Sequence, residues 1–161
     1  MPQIQKITPC LWFDREAEAA AEHYMGIFAN SRIVNQSRYG EGAQLPKGTA
    51  LVVEFELEGQ RFQALNGGPI FKFTEAVSMS VRCEDQAEVD HFWDKLSAGG
   101  QQSRCGWLKD KFGLSWQVVP SMLGEVMGGP DAVRAQRVMS ALMGMTKIDI
   151  AGLKRAYAGG T

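Results

Sequence analysis

The sequence predicts an α+β fold, built from two copies of a strand–helix–strands module and a helical tail. Three observations carry this expectation. In D-K-F-G-L-S-W-Q-V-V-P, Asp110 to Pro120, Gln117 lies four residues after Gly113. The same spacing occurs in E-G-Q-R-F-Q-A-L, Glu58 to Leu65, where Gln63 lies four residues after Gly59. Between them, Asn66-Gly67-Gly68-Pro69 breaks the chain, and a strand-then-helix pattern restarts beyond it.

The first half reads in order. Ile7 to Phe13 is a short strand ended by Asp14, which can cap the helix that follows. In that helix Ala17, Ala20, Ala21, Tyr24, Ile27 and Phe28 share one face. Asn30-Ser31 ends it, and Arg32 to Tyr39 is a second strand. Gly40 to Gly48 is a loop rich in glycine. Leu51, Val53, Phe55 and Leu57 alternate with Val52, Glu54, Glu56 and Glu58, the pattern of a half-buried strand. Gly59-Gln60 turns the chain into a partner strand, Arg61 to Leu65.

The second half repeats the plan. Val77, Met79, Val81 and Cys83 alternate with Ser78, Ser80 and Arg82. Glu84-Asp85 opens a helix whose Val89, Phe92, Trp93 and Leu96 form an apolar face, and Gly99-Gly100 ends it. Strands are expected around Arg104 to Leu108 and Leu114 to Val119. Beyond Pro120, Pro130-Asp131 starts a helix with Val138, Met139, Leu142 and Met143 on one face. Asp149 can cap a last short helix through Tyr157. The expected organisation is a first module at residues 1–66, a second at 67–120, and a tail at 121–161 that packs on the domain or on a partner subunit.

Composition narrows the function. At 45% hydrophobic residues the chain can bury a sizeable core. A net charge of −1 gives no basic footprint for nucleic acid or an acidic membrane surface. No apolar run approaches the roughly 18 residues of a spanning helix, and M-P-Q-I-Q-K is no secretory leader. Three cysteines without paired spacing make no disulfide framework, so a cytoplasmic, reduced protein is expected.

The duplicated module with G-x-x-x-Q endings resembles the vicinal oxygen chelate superfamily, which includes glyoxalases, ring-cleaving dioxygenases and bleomycin- or fosfomycin-resistance proteins. Three stretches resemble its PhnB-like branch, often labelled 3-demethylubiquinone-9 3-methyltransferase. They are I-T-P-C-L-W-F-D at Ile7 to Asp14, C-G-W-L-K-D-K-F-G-L-S-W-Q-V-V-P at Cys105 to Pro120, and M-T-K-I-D-I-A-G-L-K-R-A-Y at Met145 to Tyr157. The resemblance implies paired βαβββ modules forming a U-shaped β-cleft, in a homodimer. Superfamily members often bind a divalent ion through His at the start of each module and Glu near its end. Those positions here are Ile7, Gln63, Ser78 and Gln117, with neither imidazole nor carboxylate among them.

Metal chemistry is therefore not expected. Two amides, a hydroxyl and an alkyl chain offset the dehydration of a cation poorly. His23 and His91 both fall on module helices, off the apolar faces. With Ile7 and Ser78 placed inward by the resemblance, strand alternation puts Pro9, Leu11, Phe13, Ser80 and Arg82 on the same faces. Gln63, Leu65, Ser115 and Gln117 join them, while Trp12, Phe62 and Trp116 point to the core. Ile7, Leu11, Gln63, Ser78, Ser80, Ser115 and Gln117 are thus the candidate ligand-binding residues, in a neutral cleft suited to a small organic molecule. The amides and hydroxyls could equally satisfy one another.

Catalytic groups are not evident. Cys105 lacks a cationic partner on its own face, and Cys10 and Cys83 read as core. Asp110 reads as a turn residue before F-G. Neither glycine-rich segment joins a strand to a helix with G-x-G-x-x-G spacing, which argues against a nucleotide-type cofactor and methyl transfer. The expected function is metal-independent binding of a small molecule, with no cofactor. The alternatives are a metal-dependent lyase or resistance enzyme using the same cleft, and a regulatory or structural dimer whose cleft is vestigial.

Overall fold

A computed structural model describes residues 5–160. The expected module start at residue 1 and tail end at residue 161 lie outside them. The chain divides into two compact units between Phe73 and Thr74.

The first unit contains β1 (Cys10–Phe13), α1 (Ala17–Ile27), β2 (Ser31–Arg38), β3 (Ala50–Leu57) and β4 (Gln60–Asn66). They form a sheet in the order β1-β4-β3-β2. Its β1–β4 pair is parallel and the others are antiparallel. The N-terminal strand begins at Cys10 rather than Ile7. Pro9 has no N–H to give, but its carbonyl accepts from Gln63 N at 2.9 Å, the last bond before the pairing ends. α1 is alanine-rich, and fully buried Ala17, Ala20 and Ala21 bring its backbone close to the sheet beside Tyr24. Tyr24 stacks on Phe55, and Phe55 on Phe62.

Asp14 does not cap α1. The helix starts at Ala17, whose N–H donates to Asn66 Oδ1 at 2.9 Å, a cap delivered from the end of β4. Asn66 is 1% exposed, and its Nδ2 donates to Ala50 O, so one side chain ties helix, β3 and β4 together. Residues 67–73, expected with the second module, pack on the first. Trp12 Nε1 donates to Gly68 O at 2.9 Å, Trp12 meets Phe71 edge-on, and Phe13 meets Phe73. A Cβ at Gly67 would lie 2.2 Å from the Trp12 ring, so the indole can lie there only over glycine.

The second unit repeats the topology with β5 (Ser78–Cys83), α2 (Gln86–Ser97), β6 (Gln101–Gln102), β7 (Trp107–Lys109) and β8 (Ser115–Pro120), in the order β5-β8-β7-β6. The strand expected over Arg104 to Leu108 is displaced. Cys105 and Gly106 both have positive φ, 58° and 81°, which no strand accommodates, so pairing starts at Trp107. Asp85 Oδ1 caps α2 by accepting from Glu88 N, and Glu88 Oε2 accepts from Glu84 N, the residue before the cap. Val89, Trp93 and Leu96 are buried on the sheet.

The tail forms α3 (Ser121–Met127), which the sequence reading did not anticipate, then α4 (Ala132–Leu142) and α5 (Ile150–Ala158). Asp131 and Asp149 cap the last two. Val138, Leu142, Ile148 and Leu153 make a core of their own against Cys105, Met122 and Tyr157, whereas Met143 is 59% exposed. The tail packs on its own chain. Cys105 N and Gly106 N donate to Met145 O and Thr146 O, and Lys147 pairs with Asp90 on α2. Gln86 clasps the segment from both sides, donating to Ile148 O and accepting from Ile150 N.

Candidate functional site

Each sheet has one face covered by its module helix and one face open. Strand register assigns the residues. In the first unit Cys10 pairs with Gln63 and Trp12 with Leu65, and the residues between them, Leu11 with Ala64 and Phe13 with Asn66, lie under α1. Gln63 is therefore on the open face, as expected. Leu11 is not: it is 5% exposed and belongs to the helix-side core. Trp12, expected in the core, takes the open face in its place. Cys10, also expected in the core, is exposed there. Ile7 is 84% exposed and lies outside the strand, so no pairing fixes the position from which the parity of β1 was taken.

On the second sheet the parity holds. Ser78 pairs with Ser115 and Ser80 with Gln117, opposite in face to Met79, Val81, Trp116 and Val118. The same register brings Lys109 beside Ser115 and Trp107 beside Gln117. Ser78, Ser80, Ser115 and Gln117 are thus gathered on one open face.

The two amides differ in what they hold. Gln63 Nε2 donates to Glu54 Oε1 at 3.1 Å, and Gln117 Nε2 donates to Ser78 Oγ at 2.9 Å. Ser115 Oγ is buried, its residue 1% exposed, and it has no hydrogen-bond partner among the described residues. Two charged groups escaped the sequence reading. Glu54 brings a half-buried carboxylate to Gln63; the strand alternation of β3 gave its face, and the register with β4 gives its partner. Lys109 reaches the open face of β7 and pairs with Glu75. The displaced boundary of β7 concealed it.

The superfamily's metal positions do not fit a cation. Ile7 offers no donor atom, and Gln63, Ser78 and Gln117 offer only neutral oxygens, with neither imidazole nor carboxylate at any of the four positions. Among the described residues no group of three His, Cys, Asp or Glu side chains is placed to hold a metal ion. His23 and His91 lie on α1 and α2.

The remaining candidates have structural surroundings. Asp110 is 2% exposed. Its Oδ1 accepts from Phe112 N at 2.8 Å and Leu114 N at 3.1 Å, and its Oδ2 from Trp116 Nε1 at 2.9 Å. It organises the F-G turn. Burial pushes the Cys83 thiol up to about 12, with Glu88 adding repulsion, so it stays protonated. Cys105 Sγ lies 3.5 Å from Leu142 O, at the tail contact. Arg82 is exposed beside Glu84.

The family model described as 3-demethylubiquinone-9 3-methyltransferase matches residues 5–119, ending just before α3. The chain is similar to the solved structure of a PhnB protein from Bacillus cereus. Identity is 36%, covering 73% of this chain and 100% of that one, at a TM-score of 0.68. A Pseudomonas aeruginosa structure shares the fold at 17% identity, covering 73% of this chain and 98% of that one, at a TM-score of 0.61. No curated protein matches the sequence.

Proposed function

The chain belongs to the 3-demethylubiquinone-9 3-methyltransferase family, the PhnB-like branch of the vicinal oxygen chelate superfamily, and we propose that it binds a small organic molecule without a resident metal ion. One observation carries this reading. The positions that in metal-binding relatives hold carboxylates are amides, and each amide is oriented by a neighbour on its own open face, Glu54 for Gln63 and Ser78 for Gln117. An amide with its N–H fixed presents its carbonyl oxygen in a defined direction, which suits hydrogen-bond recognition of a neutral or polar ligand. The candidate ligand-binding residues are Gln63, Ser78, Ser80, Ser115 and Gln117. Leu11 and Ile7 leave that set.

Methyl transfer, which the family's description names, finds no support in the fold. The links from β1 to α1 and from β5 to α2 contain no glycine, and neither sheet is a parallel, doubly wound one. The reading extends to a homodimer, after the superfamily's habit, and to a cytoplasmic location. No described helix is long and apolar enough to cross a membrane.

The test is a thermal-shift screen of common metabolites against protein purified without chelator, with metal analysis of the same sample. The expected outcome is substoichiometric divalent metal and a set of stabilising compounds. In the variant carrying both Gln63→Ala and Gln117→Ala those shifts should vanish while the circular dichroism spectrum is kept. One tightly held ion per chain, or shifts indifferent to both substitutions, would overturn the proposal.

A further inference from the structure

On the second sheet, an open cavity of about 410 Å³ is lined by Glu75, Gln101, Arg104, Trp107, Lys109 and Ser115, among others. Its size is that of a small-molecule site. Two features point to what it takes. Ser115 lines it, and the Oγ of that residue is buried and without a hydrogen-bond partner among the described residues. A buried hydroxyl left unpaired is costly, so it marks a place where an acceptor is missing. Beside it in register stands Lys109, whose ammonium is held by Glu75, a residue of the segment before β5.

The charge balance has a sign. Lys109 and Arg104 contribute two cations to the lining and Glu75 one anion, so the cavity as built has an excess of one positive charge. Glu75 is itself 62% exposed at its side chain and can swing into water at little cost. Lys109, in turn, holds the Glu75 carboxyl below the usual carboxylate range. The Trp107 indole supplies an apolar wall.

We propose that this cavity is a site for a small organic carboxylate. The ligand's carboxylate replaces that of Glu75 on Lys109 and accepts from Ser115 Oγ, and its apolar body lies against Trp107. Glu75 is then an internal stand-in that occupies the cation when no ligand is present, and its displacement sets part of the binding cost. The inference rests on reading the open face as a binding surface, and it names a ligand class and an anchoring cation for the second sheet.

The experiment compares phenylacetate with its uncharged analogue phenylacetamide by isothermal titration calorimetry on the full chain. Phenylacetate should bind saturably and at least tenfold more tightly than the amide. Lys109→Gln should weaken phenylacetate at least tenfold and leave the amide unchanged, and Ser115→Ala should weaken it several-fold. Glu75→Gln, on an exposed segment where folding is not at stake, should strengthen it several-fold by freeing Lys109. Equal affinity for acid and amide, no saturable binding of either, or a Glu75→Gln variant that binds no better would overturn the proposal. Metabolite shifts that depend on Gln63 and Gln117 but ignore Lys109→Gln would sink this inference and leave the broader binding function standing.

Discussion

In the first module β2 and β3 run eight residues each, and a two-residue turn at Glu58-Gly59 carries β3 into β4. In the second module their counterparts β6 and β7 run two and three residues, and β7 reaches β8 through a longer turn that opens at Asp110. The topology is the same; the means of holding it differ. The first sheet has a long backbone ladder and a helix capped from a distant strand. The second has a short ladder, and the tail supplies what it lacks. Met145 O and Thr146 O take the N–H groups of Cys105 and Gly106, and Gly106 O accepts from Val118 N. A duplicated fold can thus lose strand length in one copy when a later segment takes over the backbone bonds.

The largest test of this contrast is removal of the tail after Pro130. It strips away Val138, Leu142, Ile148 and Leu153 and the two carbonyls that anchor the Cys105-Gly106 turn. Hydrogen exchange should show protection lost across β7, β8 and α2 and retained across β3 and β4. Equal protection in both sheets would make the tail an ornament. The same deletion should expose apolar surface and alter the oligomeric state seen by light scattering.

The next concerns the turns. Asp110→Ala removes the acceptor of two backbone N–H groups and an indole N–H, all close to buried surroundings. It should cost about 3–5 kcal/mol in chemical denaturation. Glu58→Ala, in the exposed turn of the first module, should cost less than about 1 kcal/mol. Similar losses at both would mean that the second turn is no more dependent on its side chain than the first.

The smallest effect separates the helix caps. Asn66→Ala deletes a buried cap that also holds Ala50 O, and should cost about 2 kcal/mol. Asp85→Ala deletes an exposed local cap and should cost about 1 kcal/mol. A reversed order would show that α1 does not depend on the strand end that caps it.

The sequence made the second module's faces readable and misassigned those of β1, for a physical reason. In β5 one face is Ser78, Ser80 and Arg82 and the other Met79, Val81 and Cys83, so polarity alone reveals the sides. In Leu11-Trp12-Phe13 both faces are apolar, and parity had to be taken from Ile7, which lies outside the strand. Trp12 looks like core by size, yet its indole N–H needs an acceptor and finds Gly68 O in the linker. Glu54 was visible in the alternation of β3, but nothing local tied it to Gln63, because the pairing depends on register across two strands. Lys109 and β7 were obscured by a turn whose glycine was visible but whose tail contact, made far along the chain, was not.

The tail contact at Cys105-Gly106 also orders events in time. During synthesis the chain emerges from its N-terminal side, so β1 to β4 can close their ladder while the later segments are still being made. The second sheet is complete as a string of residues well before Met145 and Thr146 exist to receive its N–H groups. Until they emerge, the N–H groups of Cys105 and Gly106 lack the carbonyls that receive them in the folded chain. The first ladder can therefore close as it is made, while the Cys105-Gly106 bend completes its backbone bonds only once the tail is present.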